Sequence, residues 1–263
     1  MICYEVNATY LPAELPWDER LRRIADAGFS TVEILFPQRQ DLDELETLLE
    51  RYHLSLALID TEFDQEYPRG HLSAPEAEDR FWYRLDEALA IAHRLGARRI
   101  NVLAGRRIPT LPLEKQWDIA VDRLRRAGAK AADRGIMLLV EALNDHDNPG
   151  YFVTRSGEGI ALIDAVGLSN VRFQHDFYHA QVMEGNLIET FQAIVSKIGH
   201  LQVADAPGRI MPGLGEINIP NVLRVVEESG YHGYVGLEYR PPTDGSDPFA
   251  WLPRDMRGRV LQE

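Results

Sequence analysis

The sequence predicts a single eight-unit (β/α)8 barrel, an α/β fold, on three observations. One unit recurs along the chain: an amphipathic helix, a glycine, then a short apolar strand. The strand runs are rich in Val, Ile, Leu and Phe, as parallel strands buried on both faces require. The 263 residues contain no Gly/Ser linker or composition break, so the reading is one domain over 1–263, close to the ~250 residues of such a barrel. The rival fold, a doubly wound open sheet, would carry a glycine-rich phosphate turn after the first strand, and "EVNATYLPAE" has none. "LAGRRIP" at 103–109 is no P-loop either.

In chain order, "ICYEVN" is the first strand, near 2–7. "LRRIADAGFSTVEILF" is a helix, its terminating glycine and a strand near 30–36, glycine being suited to the left-handed residue that ends a helix. Leu42, Leu45, Leu48, Leu49 and Tyr52 form a helical stripe opened by Asp41 and Glu44 as a capping box, before a strand at 54–60. Phe81, Leu85, Ala88, Ala92 and Leu95 form the next stripe, before a strand near 99–104. "AGAKAADRGIMLLVEAL" and "ALIDAVGLSNVRFQHD" supply strands near 136–142 and 171–176. Asn186 with Glu189 reads as a second capping box, heading a stripe of Leu187, Phe191, Ile194, Val195 and Ile198 before a strand near 200–204. Pro220 suits a first helical position, and "GYVGLEY" ends the set with a strand near 234–238. Residues 240–263 are the closing segment, in which "PPTDGSDPFAWLP" at 241–253 is expected to form a short irregular helix with Trp251 packed inward.

Net charge is −13, from 28 Lys+Arg against 41 Asp+Glu, which argues against nucleic acid or an anionic membrane as partner. No stretch approaches the ~18 apolar residues of a membrane helix, and "MICYEVNATY" lacks the layout of a signal peptide. Cys3 is the only cysteine, so no internal disulfide or thiolate cage can form, and a cytoplasmic location fits.

Catalytic residues of such barrels sit where strands end. The polar residues there are Asn7, Glu33, Asp60, Asn101, Glu141, Asp176, Gln202 and Glu238. The last four strands bring three carboxylates and one amide to one rim, and crowded carboxylates repel unless a cation sits among them. An all-oxygen set suits Mg²⁺ or Mn²⁺ and disfavours zinc. The expected metal ligands are therefore Glu141, Asp176, Gln202 and Glu238. The bland alternative is that one or two of them are solvated strand ends.

"LLVEALN", "FQHDFYHAQVMEGNL", "HLQVADAPGR", "PGLGEIN" and "GYVGLEYRP", with "VEILFP" and "INVLAGR" earlier, resemble the hydroxypyruvate isomerase group of the xylose isomerase-like TIM barrels. The resemblance places the same four residues on the family's metal positions, and Glu141 and Glu238 on its pair of proton-transfer glutamates. It implies interconversion of hydroxypyruvate and tartronate semialdehyde through an enediolate, with a 2-oxo-tetronate isomerase or ketose 3-epimerase as the close alternatives. It also implies that His179 faces the substrate and that Arg209 grips its carboxylate; a histidine bonded behind the site and a solvated loop arginine are the competing readings. Asp147 either binds a substrate hydroxyl or caps the loop "NDHDNPG".

Other residues are read as structural. Glu216 belongs to a turn, Glu33 to the rim, bonded to a neighbouring loop, and His53, His93 and His232 to the far side; "RLRR" at 123–126 is a solvated helix face. The chain departs from the family pattern in "IDTEFDQEYPRGHLSAPEAE", where Asp60, Glu62 and Asp64 make a rim ill suited to an anion, in the bulkier end of strand 1, and in Arg240, where lysine is common. Partners are then a small hydroxy-oxo acid or a ketose, with a homo-oligomer left open. A metal-dependent phosphodiesterase is the distant alternative, and it wants several metals, more histidines and a basic groove. A non-catalytic sugar-binding barrel is another, which would have no use for two opposed glutamates.

Overall fold

The computed structural model describes residues 2–261; Met1, Gln262 and Glu263, at the ends of the predicted domain, lie outside the described residues. Eight strands close into one barrel in sequence order: β1 Cys3–Asn7, β2 Thr31–Glu33, β3 Ser55–Asp60, β4 Arg99–Asn101, β5 Met137–Glu141, β6 Val171–Asp176, β7 Ile198–Val203 and β8 Tyr234–Leu237. Every neighbouring pair is parallel, including β1 with β8. The helices are α1 Trp17–Asp26, α2 Leu42–Arg51, α3 Glu78–Leu95, α4 Leu113–Ala132, α5 Ser156–Val166, α6 Phe177–Met183, α7 Leu187–Ile194 and α8 Ile219–Glu228. None of the described helices is long and apolar enough to cross a membrane.

The helix stripes read from the sequence pack on the sheet. Leu45, Leu48, Phe81, Leu85 and Ala92 are buried in one continuous apolar cluster with strand residues such as Val32, Ile100 and Leu138. Asp41 caps α2 by accepting the N–H groups of Asp43 and Glu44. Where α5 meets β6, a Cβ on Gly159 would lie 2.3 Å from the Phe173 ring, so the glycine sets that close approach.

Several expectations are corrected. Asn186 is no N-cap acceptor: its backbone is left-handed, no side-chain cap bond forms, and its amide donates to Glu189 at 2.6 Å. The stripe it heads outruns α7, because Ile198 already begins β7. Pro220 is the second residue of α8, not the first. Residues 241–253 form no helix, a 3-10 turn following at Arg254–Met256; Phe249 and Leu252 are buried, and Trp251, half-buried, packs against the core as expected and donates its indole N–H to Tyr239 at 2.9 Å. Arg257 pins this segment through the carbonyls of Phe249, Leu252 and Ala27. "RLRR" is solvated only at Arg125 and Arg126: Arg123 is buried and its guanidinium donates to the carbonyls of His71, Leu72, Ala74 and Pro75. His53, His93 and His232 are exposed on the surface.

Glu33 does not lie on the rim. It is fully buried in the barrel interior, beside Gly236, where a Cβ would come within 2.5 Å of Glu33 Oε1. Glu5, Gln174, His200 and Gln202 share this interior, with His200 Nε2 3.2 Å from Glu5 and 3.5 Å from Glu33. A polar plug therefore fills the barrel, and the candidate site lies one layer further along the strands.

Candidate active site

Strand register decides which polar ends meet. Asp60 pairs with Asn101, Glu141 with Gln174, and Asp176 with Gln202, while Glu238 follows directly on β8. Glu141, Glu238, Asp60, Asp147 and His179 line one cavity of about 360 Å³. Asp176 adjoins it: Glu141, Asp176 and His179 each offer an atom within 4.8 Å of the others. Gln202 does not line the cavity. It is buried beneath, its Oε1 accepting from Gln174 at 2.8 Å and its Nε2 donating to Glu33 at 3.0 Å.

Local structure aims each group. Asp176 ends β6 and caps α6, accepting the Tyr178 N–H at 2.8 Å. Asn101 donates to Glu141 at 2.8 Å. His179 Nδ1 accepts the backbone N–H of Asn144 at 3.0 Å, and the Asn144 side-chain amide lies at 2.7 Å. An Nδ1 that accepts leaves the ring proton on Nε2. Nε2 is buried with no hydrogen-bond partner, 3.6 Å from Asp176. Burial and then Arg209 depress the His179 pKa to about 3, so the ring is neutral. His179 thus offers the cavity one N–H donor, and this tautomer cannot ligate a metal through Nε2.

Burial pushes Glu141 well above the usual carboxylate range, with Glu238 and Asp176 adding repulsion. Glu238 is likewise raised by burial, against the pull of Arg209. The positive charge among them is Arg209, on the loop after β7. Its Nη2 pairs with Asp176 and, at 3.1 Å, with Glu238, and its Nη1 donates to the Tyr10 hydroxyl at 2.7 Å. The planes of Tyr10 and Tyr178 flank the guanidinium at 5.1 and 5.2 Å. Arg209 is therefore no solvated loop residue, and its fork is already engaged. Asp205 shapes that loop, its two oxygens accepting the N–H groups of Ala206, Gly213, Gly215 and Ile217, each at 2.9 Å. Glu216 stands exposed at the turn and takes a bond from Gln181.

Asp147 is tied into its loop and also faces the cavity, accepting the Asn144 side-chain amide at 3.0 Å. Its N–H donates to Asn144 Oδ1 at 2.7 Å within the loop, and its carboxylate lines the cavity. Burial raises that carboxyl, but hydrogen bonds from Tyr178 and Asn144 bring it to about 2. The acidic rim is largely neutralised: Glu62 pairs with Arg39 at 2.6 Å, and Asp64 with His71 and Arg80 at 3.1 and 3.0 Å. Only Asp60 of the three faces the cavity, and Arg69 and Arg240 face it too. Sequence reading missed Tyr10, Arg69 and Tyr178; "TYLP" after β1 and "YPRG" before a left-handed glycine were the available signals.

The donor set fits a hard divalent cation. Three buried carboxylates converge, and a guanidinium occupies the position of a counter-cation between two of them.

Comparison with known proteins agrees with this architecture. The sequence profile of the family described as "Xylose isomerase-like TIM barrel" matches residues 21–257. The chain is 35% identical to hydroxypyruvate isomerase of Escherichia coli (strain K12), covering 96% of this chain and 98% of that one. It is 32% identical to 2-oxo-tetronate isomerase of Cupriavidus necator, covering 95% and 96%. Among solved structures, one titled AP endonuclease, family 2, from Brucella melitensis superposes with a TM-score of 0.91 at 33% identity, covering 96% and 98%. D-psicose 3-epimerase from Clostridium cellulolyticum H10, at 21% identity and a TM-score of 0.78, shares the fold. The chain belongs to the xylose isomerase-like TIM barrel family.

Proposed function

We propose that this chain is a metal-dependent isomerase that interconverts hydroxypyruvate and tartronate semialdehyde, or a closely similar small hydroxy-oxo acid such as a 2-oxo-tetronate. The observation that carries the reading is the placement of Glu141 and Glu238 on the ends of β5 and β8, both facing one cavity of about 360 Å³. That space admits a small hydroxy-oxo acid. The relatives named hydroxypyruvate isomerase and 2-oxo-tetronate isomerase support the same chemistry. The Brucella structure is named as an endonuclease; a net charge of −13 weighs against a nucleic-acid groove on this chain.

Glu141, Asp176 and Glu238 are the proposed ligands of Mg²⁺ or Mn²⁺; Gln202, beside Asp176 in register, completes the set only by turning its Oε1 away from Gln174. When bound, such a cation supplies positive charge against which a substrate enediolate can develop. One of the two glutamates removes the carbon-bound proton and the other returns a proton to the adjacent carbon. A cation nearby offsets the burial and mutual repulsion that raise these carboxyls, so each can act as a base. His179 donates its Nε2 proton to a substrate oxygen and, being neutral, gives up none of that role near pH 7. Tyr10 and Tyr178 wall the cavity beside Arg209 and exclude water there.

Incubation of the metal-loaded protein with hydroxypyruvate in D₂O tests this directly. Isomerisation with deuterium at the reacting carbon is expected, and Glu141→Gln and Glu238→Gln should each lower turnover by roughly 10²-fold or more with metal occupancy verified. Full activity after chelation, or near-normal turnover in both variants, would remove the mechanism.

A further inference from the structure

Three arginines reach the cavity, and they differ in how much of each is already committed. Arg209 uses both terminal nitrogens on Asp176, Glu238 and Tyr10. Arg240 is exposed at the mouth. Arg69 is half-buried in the wall, and among the described residues no carboxylate, carbonyl or hydroxyl takes a hydrogen bond from its guanidinium. Its nearest aromatic contact is the Phe63 ring, 5.8 Å from the guanidinium carbon.

The backbone holds this arginine firmly. Arg69 sits at φ +71°, a left-handed conformation that a long side chain keeps only where its surroundings over-determine it. Its carbonyl accepts the Gly105 N–H at 2.8 Å, and Gly70 pairs antiparallel with Ala104. A Cβ on Gly70 would lie 2.0 Å from the Leu103 carbonyl oxygen, so glycine alone lets this segment lie flat against the chain leaving β4. Of the loop's acids, Glu62 is used on Arg39 and Asp64 on His71 and Arg80, which leaves only Asp60 facing the cavity with Arg69. A loop that reads as acidic therefore presents the cavity with an uncommitted guanidinium. Such a fork matches a carboxylate in bidentate geometry, which hydroxyls cannot reproduce.

The geometry points to Arg69 as the residue that anchors the substrate carboxylate and so selects hydroxy-oxo acids over neutral ketoses, an assignment that rests on the isomerase reading above. Two variants test it in the metal-loaded protein: Arg69→Asn, because asparagine tolerates the left-handed backbone, and Arg69→Lys, which keeps the charge without the fork. The readouts are kcat and KM for hydroxypyruvate and for a neutral ketose, with calorimetric binding of tartronate, an unreactive hydroxy-diacid. Arg69→Asn should raise the hydroxypyruvate KM and the tartronate Kd by roughly ten- to a hundredfold, leaving kcat and the ketose parameters nearly unchanged. Arg69→Lys should fall between. An unchanged tartronate Kd in Arg69→Asn, or an equal loss on acid and ketose, would overturn the anchor. If Arg69→Asn does not fold, an unchanged acid KM in Arg69→Lys would overturn it instead. Failure of the wild type to isomerise hydroxypyruvate, with tartronate binding still dependent on Arg69, would sink the isomerase reading and leave the anchor standing. Wild-type isomerisation with an unaltered KM in Arg69→Asn would do the reverse.

Discussion

Arg209 is the residue whose surroundings say most about the site. Its guanidinium, with the side chain only 13% exposed, lies against Asp176 and Glu238 and does for them what a metal ion would do. Burial alone would lower its pKa, but Glu238, Tyr10 and Asp176 hold it well above its ordinary value. Removing one partner of a buried pair costs about 3–5 kcal/mol because the other charge is left uncompensated. Arg209→Met should therefore lower the melting temperature of the chelated protein markedly. It should also enlarge the rise that Mn²⁺ produces, since the ion no longer competes with a resident cation. Thermal unfolding of both proteins with and without Mn²⁺ checks this; an equal or smaller metal-induced rise in the variant would show that Arg209 and the ion do not share a place.

At the scale of the element, single buried side chains hold the loops that shape the cavity. Arg123 on α4 gathers four carbonyls from residues 71–75, which supports the segment following Arg69 from behind. Asp205 does the same for the loop after β7 with four N–H groups, and that loop carries Arg209 at φ +57°. Asp205→Ala would strand several donors at once, at ~1–3 kcal/mol for each one left buried and unsatisfied. A loss of at least about 3 kcal/mol is expected, with Asp205→Asn less affected because one acceptor oxygen remains. Urea midpoints for the two variants measure it. Equal midpoints for wild type and Asp205→Ala would mean that the loop holds its shape without the carboxylate.

For the whole molecule, the acidic interior sets a pH dependence. Glu141, Glu238 and Asp60 are raised well above their ordinary values, chiefly by burial, and Glu33 to about 8. A carboxyl whose folded pKa is raised holds a proton that the unfolded chain has released. Its stabilisation is complete below the unfolded value and is lost as pH rises through the folded one. His175 and His179, depressed to about 4 and 3, work in the opposite direction, but their contribution is complete once pH exceeds the ordinary histidine value near 6.5. Between pH 6.5 and 8 the chelated protein should therefore lose stability, by up to ~1.4 kcal/mol per pH unit for each proton held. Saturating Mn²⁺ should flatten the slope and add stability, ~2.7 kcal/mol at a hundred times Kd. Denaturant midpoints at pH 6.5 and 8, with chelator and with Mn²⁺, decide it; a chelated protein more stable at pH 8 would contradict the assignment.

The chain's local pattern determined the barrel, because strand and helix periods and the glycines that end helices depend on neighbours a few residues away. It also determined that Glu141, Asp176 and Glu238 would meet, since eight parallel strands in sequential order leave their ends on one rim. What it could not carry were partners distant in sequence. Whether Arg209 or Arg69 is free depends on Tyr10, Asp176 and Glu238, up to 199 residues away from Arg209. The acidity of "TEFDQE" meant nothing until Arg39 and Arg80 folded against it. Arg123, in what read as a solvated "RLRR" face, and Glu33, read as a rim residue, turned inward for the same reason. A charge's role is set by the charges and dipoles around it in space, and only closure of the barrel brought those together.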